Sequence, residues 1–208
     1  MVERLSGKLI VRITGATGTI FGVRLLQILE GTGIETHLVM SKWAQRTLTH
    51  ETPYTAAEVE QMAACVHRSS NQGAPISSGS FLTKGMIIAP CSMRTLGAIA
   101  NGVGDNLITR AADVTLKERR KLVILVREAP FNDIHLENML KLSRMGVVVL
   151  PPVPAFYNHP KTIDDIVNHV VQRALDQFDI HIDVVQRWDG VMKNGARDSA
   201  VSDNIEKA

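Results

Sequence analysis

Charged side chains concentrate around one predicted core strand, and their types suit proton transfer next to an anionic substrate. Arg127 and Glu128 directly follow the apolar run at residues 122–126, at the carboxyl end of that predicted strand. Arg110 and Lys117 are seven residues apart, which places them on one face of a helix. A carboxylate beside two or three cations can transfer protons in phosphate or amine chemistry. The alternative for Arg127 and Glu128 is a purely structural ion pair.

A glycine-rich turn follows the first apolar run of the chain. Residues 14–18 have the sequence TGATG, which matches neither the Walker A pattern nor G-x-G-x-x-G. Glycine lets the backbone approach a ligand closely, and the N–H groups that open the next helix attract phosphate or carboxylate. Thr14 and Thr17 add hydroxyl groups. The turn therefore predicts an anion-binding site, with a turn that only packs as the alternative.

Two further polar turns follow predicted strands. Ser41 comes after the second strand, and Ser92 comes after Pro90, which we expect to end the strand that begins near Met86. Each serine is also suited to cap the helix that follows it. Ligands of open α/β sheets bind beyond the carboxyl ends of the strands. If the strands are neighbours, the three turns form one ligand site.

The elements that must position these residues alternate along the chain. Short continuous apolar runs, typical of strands buried on both faces, occur at 9–13, 36–40, 86–89, 122–126 and 147–150. Helical patterns occur at 18–32, 42–50, 92–101, 106–118 and 133–145, and a last one begins with the capping-box pair Thr162 and Asp165. The alternation predicts a doubly wound, three-layer α/β domain with a parallel sheet. Residues 69–81 and 151–160 are predicted loops.

Composition narrows the class of protein. The 208-residue length suits one domain with a hydrophobic core, and a net charge of +2 argues against a nucleic-acid-binding protein. Cys65 and Cys91 make no disulfide framework and no metal-type spacing, and His135, His159 and His169 also lack such spacing. Without a signal peptide or an apolar run of membrane-spanning length, the sequence predicts a cytoplasmic protein.

These motifs together resemble the UbiX-type flavin prenyltransferases, including the B subunits of hydroxyarylic acid decarboxylase systems. The resemblance extends over residues 8–188 and includes TGATG, HLVMSKWA, ISSGSF, APCSMRTL, RAADVTLKERR, VREAPF, IHLENMLKLSRMG and PPVPAFYNHP. It implies a Rossmann-like FMN-binding domain over residues 1–189 and a polar C-terminal tail over 190–208. It also implies transfer of a dimethylallyl group from dimethylallyl monophosphate, or the diphosphate in some members, to N5 and C6 of reduced FMN.

The resemblance further implies partners and site residues. A UbiD-type decarboxylase receives the prenylated FMN, no metal is needed, and the protein forms a homododecamer with its site at a subunit junction. The implied FMN-binding residues are Gly15, Ala16, Thr17, Ser41, Ser92, Met93, Arg94, Thr95, Arg110 and Arg127. The implied prenyl-phosphate residues are Lys117, Tyr157 and Arg173, with Trp188 near the prenyl chain. The implied catalytic residues are Glu128 as proton-transfer group, Lys117 and Thr17.

Two departures from the family pattern and two alternative functions remain. Thr17 stands where many members have Ser, and Phe21 stands where Tyr is common.

One alternative function is that of a non-catalytic FMN-binding accessory subunit, but a flavin carrier would not need a second phosphate site. The other is a flavin-dependent cysteine decarboxylase. Those enzymes use a histidine in the first helix, whereas the first histidine here is His37, in the second strand.

Overall fold

A computed structural model describes residues 6–188 and 190 of the chain. One six-stranded parallel sheet has the strand order β3-β2-β1-β4-β5-β6. Its strands are β1 (Gly7–Ile13), β2 (Ile34–Met40), β3 (Cys65–Val66), β4 (Gly85–Cys91), β5 (Lys121–Val126) and β6 (Val148–Val149). The chain winds outward from β1 to β3 and then crosses back to β4. The winding direction therefore reverses between β1 and β4, which is where open α/β sheets bind ligands.

Helices cover both faces of the sheet. They are α1 (Thr19–Leu29), α2 (Lys42–Glu51), α3 (Ala56–Gln61), α4 (Met93–Ala100), α5 (Leu107–Lys117), α6 (Asp133–Arg144) and α7 (Ile163–Asp176), with a 3-10 helix at Pro75–Ser77. Buried side chains of α1, α2, α3 and α7 pack on one face of the sheet, and those of α4, α5 and α6 pack on the other. The predicted three-layer, doubly wound fold is confirmed.

Strand β1 shows why the apolar runs are continuous. Leu9, Val11 and Ile13 pack in the layer of α1 and α7, whereas Ile10 packs in the opposite layer. Both faces are thus removed from water, and each such side chain contributes about 1.5–3 kcal/mol when it is fully buried. Arg12 is the exception in this strand, because its side chain is also fully buried.

Two predictions about elements are wrong or incomplete. Pro90 does not end its strand, because β4 continues through it to Cys91, with a shift in the β4–β5 register between Ile88 and Cys91. The shift accommodates a residue that has no N–H to donate. The short elements α3 and β3 were not predicted, since six and two residues are too few for a periodic signal.

The start of the last helix follows the prediction. The Thr162 hydroxyl accepts from the Asp165 N–H at 3.2 Å, and the Asp165 carboxylate accepts from the Thr162 N–H at 2.9 Å. This reciprocal pair satisfies two N–H groups that the helix cannot bond itself. The predicted tail, apart from Gly190, lies outside the described residues. Among the described residues, no helix combines the length and apolar character needed to span a membrane.

Candidate active site

Three turns meet at the carboxyl edge of the sheet, and Thr14 joins two of them. Its hydroxyl donates to the Pro90 carbonyl at 2.7 Å and accepts from the Ser92 N–H at 2.9 Å. The Ser41 N–H donates to the Ile13 carbonyl at 3.2 Å, which holds the third turn beside the first. The Thr14 hydroxyl therefore holds two of the turns together.

Both predicted serines cap helices and also border a cavity. The Ser41 hydroxyl accepts from the Ala44 N–H at 3.0 Å, at the start of α2. The Ser92 hydroxyl accepts from the Thr95 N–H at 3.4 Å, at the start of α4, and donates to the Thr95 hydroxyl at 3.1 Å. Capping and ligand contact are thus compatible here, because the amino ends of both helices open onto the same space.

The space between these turns is a cavity of about 710 Å³. Its lining residues are Thr14, Gly15, Ser41, Lys42, Trp43, Ser69, Ser92, Arg94, Thr95, Asp105, Asn106 and Ile108. This volume lies within the range of about 300–1,000 Å³ that is common for small-molecule sites. The lining combines hydroxyls, helix amino ends, two cations and one carboxylate, so it suits a polar ligand that carries an anionic group.

Close packing of α2 explains why position 15 is glycine. A Cβ atom on Gly15 would lie 2.6 Å from the Cβ atom of Trp43, a contact that real side chains do not make. The Trp43 ring is 66% exposed and borders the cavity, with the Arg46 guanidinium 5.1 Å from its centre. Gly15 therefore lets α2 bring an aromatic ring and a helix amino end to the ligand space.

A carboxylate from α2 occupies the amino end of α1. Glu51 accepts from the N–H groups of Gly18 and Thr19 at 2.9 and 3.2 Å, and from the Thr19 hydroxyl at 3.1 Å. Burial opposes ionisation of Glu51, but hydrogen bonds from Thr17, Gly18 and Thr19 outweigh it and lower its pKa. In this structure, Glu51 thus satisfies the N–H groups of Gly18 and Thr19 at the amino end of α1.

The structure brings together half of the ten predicted FMN-binding residues. Gly15, Ser41, Ser92, Arg94 and Thr95 line the cavity, whereas Ala16, Thr17, Met93, Arg110 and Arg127 are absent from its lining. Met93 packs against the core, and Arg110 binds the Ser77 carbonyl at 3.2 Å and the Asp113 carboxylate at 2.8 Å.

Sequence reasoning missed six residues that line the cavity. They are Lys42, Trp43, Ser69, Asp105, Asn106 and Ile108. Asn106 had a recognisable signal, because its side chain caps α5 through the N–H groups of Ile108 and Thr109 at 2.8 and 3.3 Å. The other five depend on how the loops, α2 and α5 fold over the sheet edge.

Arg127 and Glu128 directly follow β5, as predicted. The Arg127 N–H donates to the Cys91 carbonyl at 3.1 Å, so this segment lies beside Ser92. The Glu128 carboxylate accepts from the N–H of Ala129 at 3.1 Å. Across residues 6–188, neither Arg127 nor Glu128 takes part in a salt bridge. The structural ion pair considered above is therefore not formed in this protomer.

The predicted prenyl-phosphate residues lie in opposite layers of the domain. Lys117 ends α5, pairs with Glu118, and borders a second depression of about 460 Å³ near the start of β5. Arg173 lies on α7, across the sheet, where its guanidinium donates to Asp176 at 3.3 Å. The sheet separates the two side chains within one protomer.

Tyr157 forms a cluster with residues of α7 and the C-terminal segment. Its hydroxyl lies 2.9 Å from His169 Nε2, and its ring packs edge-to-face against Trp188 at 5.6 Å. Burial, and then the nearby Arg173, lower the pKa of His169. His169, for which the sequence showed only the lack of a metal-type spacing, thus contacts Tyr157 directly and lies one turn before Arg173.

Comparison with known proteins gives this arrangement a family. The sequence matches the model of the family called Flavoprotein over residues 2–175. The chain belongs to the Flavoprotein family. This flavoprotein is 59% identical over 186 residues to a Bacillus subtilis protein named "Probable UbiX-like flavin prenyltransferase". The match covers 89% of this chain and 91% of that relative.

Two solved structures share the fold closely. The dodecameric FMN-dependent UbiX-like decarboxylase from Escherichia coli O157:H7 is 60% identical, with a TM-score of 0.86, over 88% of this chain and 100% of that one. AnUbiX (PadA1) in complex with FMN and dimethylallyl pyrophosphate is 48% identical, with a TM-score of 0.88, over 90% of this chain and 100% of that one. The Rossmann-like flavoprotein fold predicted from the sequence is thereby confirmed.

Proposed function

We propose that this flavoprotein is a flavin prenyltransferase. It transfers a dimethylallyl group from dimethylallyl monophosphate to N5 and C6 of reduced FMN, and the prenylated FMN serves a UbiD-type aromatic acid decarboxylase. The observation that carries the proposal is the structure of AnUbiX, which holds FMN together with dimethylallyl pyrophosphate in a fold that covers 90% of this chain. The reaction needs both a flavin site and a second phosphate site, and this chain offers residues for each.

The cavity at the carboxyl edge fits FMN. Ser41, Ser92 and Thr95 offer hydroxyls, α2 and α4 offer helix amino ends, and Arg94 offers a cation for the phosphate. The exposed Trp43 ring offers an aromatic surface beside them. When bound in its reduced form, FMN supplies the electron-rich N5 and C6 positions that accept the prenyl group.

The remaining residues act on the prenyl donor. Lys117, Arg173 and the Tyr157 hydroxyl bind its phosphate and stabilise the negative charge that grows as the allylic C–O bond breaks. The face of Trp188 favours the positive charge left on the allylic carbon. Bond formation at N5 releases the N5 proton as phosphate departs. Ring closure at C6 adds a proton to the prenyl C=C bond and removes one from C6, and Glu128 or the released phosphate moves that proton. Exclusion of water from this space prevents hydrolysis of the allylic cation.

We propose that neighbouring protomers complete the site. Lys117 and Arg173 are separated by the sheet within one protomer, so both can contact one phosphate only if they come from different copies. The exposed apolar side chains of Val153, Phe156 and Ile163 are 65%, 72% and 79% accessible, which suits burial against other copies. The dodecameric assembly of the E. coli relative supports the same arrangement.

An anaerobic turnover experiment tests the function. Purified protein is mixed with reduced FMN and either dimethylallyl monophosphate or the diphosphate, and the mass of the extracted flavin is measured. A gain of one five-carbon unit with either donor supports the proposal and identifies the preferred donor. Tightly bound but unmodified FMN with both donors would contradict it and favour the FMN-binding accessory subunit. The Glu128→Gln variant should prenylate FMN more slowly while binding as much of it.

A further inference from the structure

Three side chains with metal-binding atoms meet at the β2–β3 edge of the sheet. The nitrogen or sulfur ligand atoms of His37, Cys65 and His67 all lie within 4.8 Å of one another. His37 and Cys65 are register partners in the parallel β2–β3 pair, and His67 follows two residues later. Because side chains alternate along a strand, all three face the same side of the sheet. None of them lines the cavity described above.

We propose that His37, Cys65 and His67 bind a thiophilic transition-metal ion, with Zn²⁺ as the ion that fits best. A thiolate and two imidazoles are ligands that Zn²⁺ prefers in proteins. Sequence spacing did not reveal the site, because His37 lies on a different strand from the other two ligands. The site is separate from the prenyl-transfer chemistry and does not depend on it.

A carboxylate behind His37 fixes the ring in the form that binds metal. His37 Nε2 lies 2.9 Å from Glu35 Oε1. Lys8 Nζ donates to the same Glu35 oxygen at 3.2 Å, so this carboxylate pairs with a cation and acts as an acceptor. His37 must therefore donate from Nε2, which leaves the lone pair on Nδ1, 2.9 Å from His67 Nε2. Metal-binding histidines are usually oriented by a carboxylate in this way.

The three proposed ligands differ in their exposure to solvent. His37 is almost fully buried, and the edge of the Phe81 ring packs against it at 5.1 Å, which restricts its rotation. Cys65 and His67 are half-buried, so an ion can enter from solvent and keep one position for water.

The present distances require only small side-chain movements. Bond lengths of about 2.05 Å to nitrogen and about 2.3 Å to sulfur place tetrahedral ligands about 3.3 to 3.6 Å apart. The two ring nitrogens at 2.9 Å must move apart slightly, and the most distant ligand pair must approach by about 1 Å. The proton on His67 Nε2 moves to Nδ1, and Cys65 releases its thiol proton to solvent as the metal–sulfur bond forms.

A buried cation makes the thiolate essential. Arg12 is fully buried, and its guanidinium has no hydrogen-bond partner among the described residues. It is the register partner of Val39, two residues after His37, so its side chain lies on the same side of the sheet as His37. A dication in this region is opposed by that charge and needs compensation. The Glu35 carboxylate behind His37 already pairs with Lys8 at 3.2 Å, so the Cys65 thiolate must supply the compensating negative charge. Loss of Cys65 should therefore abolish binding and not merely weaken it.

A metal ion at this site would also stabilise the attachment of strand β3 to the sheet. Strand β3 has only two residues and lies at the edge of the sheet. Ser69, two residues after His67, lines the candidate active-site cavity, and its carbonyl accepts from the Leu107 N–H at 2.9 Å. A metal ion that joins β3 to β2 would thus stabilise one wall of that cavity and raise the melting temperature.

Metal titration of the full chain, freed of any histidine tag and stripped with a chelator, tests the proposal. Co²⁺ should bind one ion per chain and give a thiolate charge-transfer band in difference absorption spectra, which Zn²⁺ should displace. Cys65→Ser should lack the band, whereas Cys91→Ala and the exposed His50→Ala should keep it. Glu35→Gln should weaken Zn²⁺ binding by about 10–100-fold, as loss of an orienting carboxylate usually does.

Two results would overturn the metal site. One is the absence of a charge-transfer band in the wild-type chain, and the other is an equal band in Cys65→Ser. If Cys65→Ser fails to fold by circular dichroism, His67→Asn provides the second variant, and retention of wild-type Zn²⁺ affinity in it would also refute the site. Prenyl transfer by the metal-free protein would leave the metal proposal intact, since the two sites are separate.

Discussion

The carboxylate of Glu51 accepts a hydrogen bond from the backbone N–H of Gly18 at 2.9 Å, although 33 residues separate them in the chain. Gly18 has a left-handed backbone (φ 92°), and no side chain of the turn itself caps α1. The last residue of α2 therefore supplies the negative charge that the amino end of α1 attracts. This contact fixes the TGATG turn relative to α2, which carries Trp43 and the Ser41 cap.

Glu51→Gln should destabilise the protein at neutral pH. The amide keeps an acceptor but loses the charge, and the expected loss in the free energy of unfolding is about 1 kcal/mol, reduced by solvent exposure. The folded state lowers the Glu51 pKa, so its contribution is complete above the unfolded value of about 4.3 and is lost as pH falls through the folded pKa. Urea titrations at neutral and acidic pH measure the difference.

The matched control for this charge is Glu30→Gln, at the exposed carboxyl end of α1. It should change stability by less than Glu51→Gln at neutral pH. A Glu51→Gln deficit that stays the same below about pH 4 would show that the charge is not what stabilises the turn.

Gly15→Ala should reduce both stability and FMN retention. The added methyl group would lie 2.6 Å from Trp43 Cβ, so α2 must move, at a cost of about 1–3 kcal/mol. Trp43→Ala should not rescue the variant, because the clash involves the Cβ atom that alanine keeps. Gly104→Ala is the control, since nothing lies within 4 Å of its added Cβ. The measurement is the amount of FMN bound per chain in each purified variant. A normal FMN content in Gly15→Ala would refute the packing argument.

Thr14→Val should destabilise the carboxyl edge of the sheet. The hydroxyl is buried and bonds both the Pro90 carbonyl and the Ser92 N–H. Its removal leaves the Ser92 N–H without its partner, whereas the Pro90 carbonyl keeps the Thr14 N–H at 3.3 Å. We expect a loss of about 1–3 kcal/mol in the free energy of unfolding. Thr14→Ser keeps the hydroxyl and should recover most of the lost free energy of unfolding. Denaturant titration of both variants measures the difference. Equal stability of the two variants would contradict this role.

The hydrogen bond between Tyr157 and His169 should affect donor binding. If it orients Tyr157 toward the prenyl phosphate, Tyr157→Phe and His169→Phe should each raise KM for the donor by about fivefold, with a smaller effect on kcat. Tyr157→Phe also removes the proposed phosphate contact, so it should be at least as severe as His169→Phe. The double variant should be no worse than Tyr157→Phe, because His169 acts only through the Tyr157 hydroxyl. Steady-state kinetics at saturating reduced FMN provide the measurement, and additive effects would mean independent roles.

Mixed oligomers test whether protomers share the site. Lys117→Met and Arg173→Met should each lose prenyl transfer but keep FMN, because neither residue lines the cavity. Equal co-expression should restore activity to about one quarter of the sites if the two residues come from different copies. Separately assembled oligomers mixed afterwards are the control and should stay inactive. Inactive co-expressed oligomers would show that each site draws both residues from one copy.

Much of the fold follows from the sequence because its signals are local. Continuous apolar runs mark strands that are buried on both faces, and Thr162 with Asp165 marks the start of α7 within one residue. The TGATG turn, Ser41 and Ser92 were placed at the correct edge, since carboxyl ends of parallel strands meet there. Short elements escaped detection because two residues of β3 carry no period.

Only the tertiary structure decided which distant residues meet. Glu51 reaches the amino end of α1 from another helix, and Cys65 meets His37 through the pairing of β2 with β3. The tertiary structure also places Lys117 and Arg173 on opposite faces of the sheet. No sequence pattern shows this, because spacing along a chain does not tell which face of a sheet a later helix covers. The sequence by itself determined the elements and the chemistry at their ends. Packing of the layers determined which of those ends face the same space.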